Sequence, residues 1–318
     1  MKNDIVSQLN QAYDAEIKNV SLLGGRSNEV RLVETDRGTY VCKLYPLDSN
    51  LTRIHELIQF LDEKGFPVVS PLTTSDNLTT FRADDRVGAL MPYVSGSDFS
   101  GQLVEVRSAG RALGDFHRLS SEFATPEITV DFEKELTNYV ETIRSHGTDS
   151  VAGTGLSDGD LAEMATAAER CRERLSGHTP PQEARLYIHG DYNDQNVLFD
   201  NNGSVVLVAD WEDAGPGLTY TDLAKGANKF AITDLEYDTS QINPEKVAEF
   251  VEAYDHVVNV SPDLLVGLLE RNALSSVAWG LKNYAKHGDD LFREVLEWYA
   301  ANLDSITEVT PELKAALR

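Results

Sequence analysis

Between Leu186 and Asp213 the chain reads LYIHGDYNDQNVLFDNNGSVVLVADWED, a stretch dense in carboxylates and amides. A potential base, Asp191, stands five residues before Asn196, and Asp210 follows two short apolar runs separated by Asp200-Asn201-Asn202-Gly203. That layout predicts a hairpin. With Asn202-Gly203 as the central residues of a primed turn, Asn196 faces Ala209 and Gln195 faces Asp210, so two metal-seeking oxygens meet at one end. Phosphoryl transfer needs such parts: a carboxylate to orient and deprotonate a hydroxyl, oxygen ligands for magnesium on a triphosphate, and donors around the phosphates. Asp191 suits the first task, and Asn196 and Asp210 the second. Magnesium fits because it takes few protein ligands and completes its octahedron with phosphate oxygens and water.

The third task falls to the N-terminal part. EVRLVET and TYVCKLY alternate as strands around the turn signal Asp36-Arg37-Gly38, after an apolar-spaced leading helix over residues 4–17. Before them, Leu22-Leu23-Gly24-Gly25-Arg26-Ser27-Asn28 is either a plain turn or a loop whose backbone approaches a phosphate. Lys43 in the second strand is either solvent-facing on an edge or a point charge for nucleotide phosphates. Ile54, Leu57, Ile58 and Leu61 make one helical stripe that Gly65 ends. Strand patterns follow at Val69, Leu78 to Arg82 and Val87 to Met91, until Pro92-Tyr93-Val94-Ser95-Gly96 breaks the period. A lobe boundary belongs there, dividing residues 1–93 from 94–318, and the backbone around Met91 and Tyr93 is suited to reading an adenine edge.

Beyond Gly96 the pattern is helical: Val104 to Leu119, Phe132 to Ser145, a run opened by a Ser157/Asp160 capping box, then Glu245 to Val257, Ser261 to Lys286 and Asp289 to Leu303. The 318 residues, 41% hydrophobic, suffice for two lobes with sizeable cores. With no signal-like start and no apolar run of about 18 residues, a cytoplasmic protein without a membrane span is expected. Cys42 and Cys171 read as packed thiols. The formal charge of −24, from 52 acidic and 28 basic residues, argues against nucleic acid. It leaves a cationic substrate or a high-salt cytoplasm, and the scatter of the acids through the chain favours the latter.

His189-Gly190-Asp191-Tyr192-Asn193-Asp194-Gln195-Asn196, followed by Asp210-Trp211-Glu212, resembles the signature of the aminoglycoside phosphotransferase and choline kinase family, with some similarity to the homoserine kinases of this fold at Gly110 to Phe123. The resemblance runs from about Leu22 to Leu223. It implies an α+β, protein-kinase-like bilobal fold, with a small mainly β N-lobe and a larger mainly α C-lobe. It also implies ATP and Mg2+ as cofactors: Asp191 as the catalytic base, Asn196 and Asp210 as metal ligands, and Lys43 with Gly24 and Gly25 on the phosphates. His189 would brace the loop and Asp222 would support it from a following helix, while Glu212 either adds a second metal contact, orients substrate or is solvated. The family's lysine is usually held by a glutamate on the next helix; Glu56 is the candidate, with Glu63 and Glu29 as alternatives.

The expected acceptor is a hydroxyl of a small molecule: an aminoglycoside, a choline-like amino alcohol, homoserine or a sugar. Asp194, Asp213 and Glu270 are candidate acids for a cationic acceptor, and Trp211, Trp279 and Tyr284 candidate aromatic faces. Intact Asp191, Asn196 and Asp210 argue against a silent nucleotide-binding regulator. The absence of D-F-G, A-P-E and an activation segment argues against a protein kinase.

Overall fold

The computed structural model describes residues 2–24, 28–47, 49, 51–123, 132–146, 156–232, 241–255 and 261–287, with 293, 295, 296, 298, 299 and 302. The chain divides into two compact units, Met1–Ser97 with Val206–Glu212, and Asp98–Val205 with Asp213–Arg318. Residues 206–212 thus pack with the first unit, although they follow the HGD loop in sequence.

In the first unit, β1 (Ile17–Gly24), β2 (Glu29–Thr35), β3 (Thr39–Pro46), β4 (Phe81–Ala83) and β5 (Arg86–Pro92) form one antiparallel sheet in the order β1-β2-β3-β5-β4. Val69 lies in no strand. Period-two alternation sends Val33, Cys42, Leu44 and Leu90 to one face, where they pack with Ile5, Leu9 and Tyr13 of α1 (Lys2–Tyr13). The other face carries Tyr45 and Ala89, packed with Leu51 and Ile54 at the start of α2 (Thr52–Glu63). That helix ends in a Schellman motif, with Phe66 N–H donating to Leu61 O at 3.0 Å and Gly65 N–H to Asp62 O at 2.9 Å.

The second unit is built on α3 (Leu103–Phe123), α4 (Phe132–Ser145), α5 (Asp158–Leu175), α6 (Thr219–Phe230), α7 (Pro244–Tyr254) and α8 (Pro262–His287). Ser157 and Asp160 form the expected capping box at α5. The expected helix from Asp289 falls largely outside the described residues. Strand β6 (Arg185–Ile188) pairs antiparallel with β9 (Gly215–Leu218), and β7 (Val197–Phe199) with β8 (Val205–Val208) makes the hairpin. An aromatic cluster sits beneath the loop between β6 and β7: Phe230 stacks on Phe250 at 5.6 Å, and Tyr192 packs at 5.9 Å from Phe230.

The hairpin turn differs from its expected form. Gly203 N–H donates to Asp200 O at 3.0 Å and Asp200 N–H to Ser204 O at 2.8 Å, so Asn201 and Asn202 are the central residues. A primed turn needs positive φ at its first central position, and type I′ at both. Gly203 has it at 77°, and neither Asn201 nor Asn202 does. The Asp200 carboxylate instead accepts from Asn202 N–H at 2.8 Å and Ser204 N–H at 2.9 Å.

Buried His55 on α2 gives the first unit an acid-sensitive point. Burial pushes it from 6.5 down to about 4. The unfolded chain takes up this proton at higher pH than the folded one, so the stability that neutral His55 allows is complete above pH 6.5. It is lost as pH falls from 6.5 towards about 4, by roughly 3 kcal/mol in total. Denaturant titrations of a His55→Gln variant are expected to show a shallower loss of stability across that window. An unchanged slope would exclude His55 as its source.

Candidate active site

In the first unit, Lys43 lies on central strand β3, opposite Val30 of β2 and Ala89 of β5. This excludes the solvent-facing edge position, and Lys43 is only 9% exposed. A buried cation needs compensating charge. It comes from Asp210, whose Oδ1 accepts from Nζ, and from Glu212 Oε2 at 2.6 Å. Glu212 also accepts from Asn28 Nδ2. Glu212 is therefore neither solvated nor remote from the lysine; it occupies the role expected of Glu56. Glu56 is exposed and pairs with Arg53 at 2.7 Å, because α2 turns Leu57, Ile58 and Leu61 inward instead. Glu29 pairs with Arg31, and Glu63 is exposed. Asp210 has φ 64°, in the left-handed region that aspartate tolerates better than most residues. Trp211 is buried, edge-on to Phe66 at 6.2 Å with Nε1–H on Val208 O at 2.9 Å, and so serves packing.

Gly24 is the last residue of β1, and Gly25 lies outside the described residues. Met91 sits in β5 opposite Val41. Tyr93, half exposed, donates its N–H to Thr39 O at 3.1 Å.

In the second unit, the HGD loop hangs from Asp222. This fully buried carboxylate accepts from His189 N–H at 2.7 Å, from Gly190 N–H at 2.9 Å and from His117 Nε2 at 3.1 Å. His117 Nδ1 lies 2.7 Å from Tyr254 Oη. Burial alone would raise the Asp222 carboxyl, but the His117 hydrogen bond and charge, with those of His189, hold it below the usual carboxylate range. Gly190 has φ +80°, and a Cβ there would come 2.4 Å from Asp213 O. The middle residue of the loop thus has no room for a side chain.

Asp191 N–H donates to His189 Nδ1 at 3.2 Å. Asn196 Nδ2 reaches back to Asp191 O at 2.9 Å and Oδ2 at 3.0 Å. The amide nitrogen is thereby committed, which leaves Asn196 Oδ1 for a hard cation. Buried Tyr192 anchors the loop from below, its hydroxyl donating to Ala109 O at 2.8 Å. Asp194 is 9% exposed, and among the described residues its Oδ1 has no hydrogen-bond partner. Burial raises its carboxyl, against the pull of nearby Lys229. Of the other acids considered for a cationic acceptor, Glu270 is already neutralised by Arg174 at 3.3 Å, and Asp213 is exposed.

Two neighbours of the loop escaped the sequence reading. They are His117, which meets Asp222 and Tyr254, and Lys225, whose Nζ is 2.5 Å from Asp191 Oδ1. The available signal was helical spacing: Asp222, Lys225 and Lys229 recur at three and four residues, so a helix that turns Asp222 to the loop turns the lysines there too.

A buried lysine on the central strand of a five-stranded antiparallel sheet, and a helical unit that presents an HGD loop, define a phosphotransferase enzyme of α+β, protein-kinase-like fold. The model of the phosphotransferase enzyme family matches residues 19–257, and the chain belongs to that family. No curated protein sequence matches the chain. Among solved structures it is similar to an aminoglycoside phosphotransferase from Alicyclobacillus acidocaldarius (TM-score 0.73, 17% identity, 97% of this chain and 95% of that one). It is also similar to a spectinomycin phosphotransferase in complex with ADP and spectinomycin (0.70, 13%, 98% of each). A third is choline kinase from Streptococcus pneumoniae (0.64, 15%, 98% of this chain and 99% of that one).

Removal of the Asp222 carboxylate tests what suspends the loop. Asp222→Ala leaves two loop N–H groups without their acceptor, at about 1–3 kcal/mol each. The variant is expected to show a lower Tm and faster amide hydrogen exchange at His189 and Gly190. Unchanged exchange at both would mean that the loop is held otherwise.

Proposed function

We propose that this kinase moves the γ-phosphate of magnesium-bound ATP to a hydroxyl of a small, amine-bearing molecule. The observation that carries the reading is the Asp191 carboxylate, fixed through Oδ2 by Asn196, on a loop that a buried carboxylate suspends. Asp191 would orient the acceptor hydroxyl and take its proton as the oxygen–phosphorus bond forms.

Asn196 and Asp210 would hold magnesium, which neutralises charge on the phosphates when bound. Their donors are hard oxygens, as that ion requires. Lys43 and the backbone at Gly24 and Gly25 would contact the phosphates, and Met91 and Tyr93 the adenine. An amine or ammonium on the acceptor would suit the buried, incompletely partnered carboxylate of Asp194. The choline kinase and spectinomycin phosphotransferase among the similar structures favour acceptors of this class. Among the described residues no helix is long and apolar enough to cross a membrane, and we place the enzyme in the cytoplasm.

A screen of amino alcohols, aminoglycosides, homoserine and sugars for acceptor-dependent consumption of magnesium-ATP should return an amine-bearing acceptor. Asp191→Asn should lower kcat by about 10²–10⁴-fold with the Kd for ATP little changed; wild-type turnover would remove Asp191 from the chemistry. Asp210→Ala should weaken the dependence of ATP binding on magnesium, and an unaltered dependence in titration calorimetry would rule out its ligand role.

A further inference from the structure

Phosphoryl transfer places the attacking hydroxyl between its base and the phosphorus, so a group in contact with the base is also a near neighbour of the transferred phosphoryl group. In the second unit Lys225 holds that position. From α6 its Nζ lies 2.5 Å from Asp191 Oδ1 and 3.3 Å from Gly190 O. Asn196 takes the other oxygen, Oδ2, at 3.0 Å. An ammonium has three N–H donors. Two of those on Lys225 are directed to Asp191 and Gly190, and the third has no acceptor among the described residues. The side chain is part-exposed on a four-carbon stem, so its head can shift towards a new anion without moving the helix. The helix itself is tied to the loop by Asp222, one turn before Lys225.

We propose that Lys225 is a catalytic residue that donates to an oxygen of the transferred phosphoryl group while it also holds Asp191. The inference rests on the kinase reading of Asp191. As the acceptor oxygen bonds to the γ-phosphorus, the bond from that phosphorus to the bridging oxygen breaks and its electron pair leaves with ADP. The acceptor proton passes to Asp191, and Lys225 keeps its own protons. Its positive charge offsets negative charge on the phosphoryl oxygens and prevents repulsion between them and the Asp191 carboxylate.

The alternative role is positioning only, in which Lys225 acts through Asp191 and touches no phosphate. Two readouts separate the roles. The first is steady-state kinetics of Lys225→Met: kcat is expected to fall about 100-fold with KM for ATP nearly unchanged, and Lys225→Arg should recover part of the loss. The second needs no turnover. Calorimetric binding of magnesium-ADP with aluminium fluoride, which mimics the transferred group, should weaken at least about 10-fold in Lys225→Met while binding of magnesium-ADP alone does not. The same weakening should persist when Lys225→Met is combined with Asp191→Asn. If it disappears in the Asp191→Asn background, Lys225 acts only through the base and the proposal is wrong. Wild-type kcat and wild-type fluoride-complex affinity in Lys225→Met would overturn it as well. Should Asp191→Asn retain full turnover, the failure lies in the kinase reading of Asp191, and the fluoride experiment still reports on the phosphoryl contact.

Discussion

The second unit depends on one buried carboxylate. Asp222 has no solvent to stabilise it, so its charge must be met by donors in the protein, and the donors are the backbone of the HGD loop and the ring of His117. An unmet charge at this depth would cost several kcal/mol, far more than any single loop conformation is worth. The loop therefore adopts the path that offers His189 and Gly190 N–H to Asp222. That path needs a residue without a side chain at position 190, beside Asp213 O. His117 is fixed in turn by Tyr254 of α7, so α3, α6 and α7 are joined through one polar network in an apolar interior.

The same helix sets the electrostatics around the loop. Asp222, Lys225 and Lys229 lie along one face of α6; Asp222 accepts from His189 and Gly190, Lys225 pairs with Asp191, and the charge of Lys229 acts on Asp194 without an ion pair. In the first unit Lys43 does the corresponding work for Asp210 and Glu212. In a chain of net charge −24, Asp191, Asp210 and Glu212 are thus each matched with a lysine. Unmatched, those carboxylates would repel an approaching anion. The excess of acidic residues belongs to the rest of the molecule.

Much of the local structure was legible in the sequence because its contacts close over a few residues. Ser157 caps with Asp160 across three positions, and the Schellman motif needs only Leu61 to Phe66. In each case backbone geometry alone brings the partners together. The hairpin was readable in outline, but not its turn type, because the choice fell to the Asp200 side chain, which captures two turn N–H groups and competes with the primed geometry.

By itself the sequence determined the HGD loop with its neighbouring asparagine, a motif of fixed spacing, and the resemblance carried by that motif pointed to the family and its fold class. Only the tertiary structure decided which acid meets Lys43, that His117 and Tyr254 stand behind Asp222, and that Lys225 reaches Asp191. Glu56, Glu63 and Glu29 were all nearer to Lys43 in sequence than Glu212. The choice went to Glu212 because α2 buries its apolar stripe and turns Glu56 to solvent, while buried Trp211, packed on Phe66, fixes the short turn that carries Glu212. Packing of apolar surface selects which distant charges meet, and a residue's spacing along the chain carries no record of that choice.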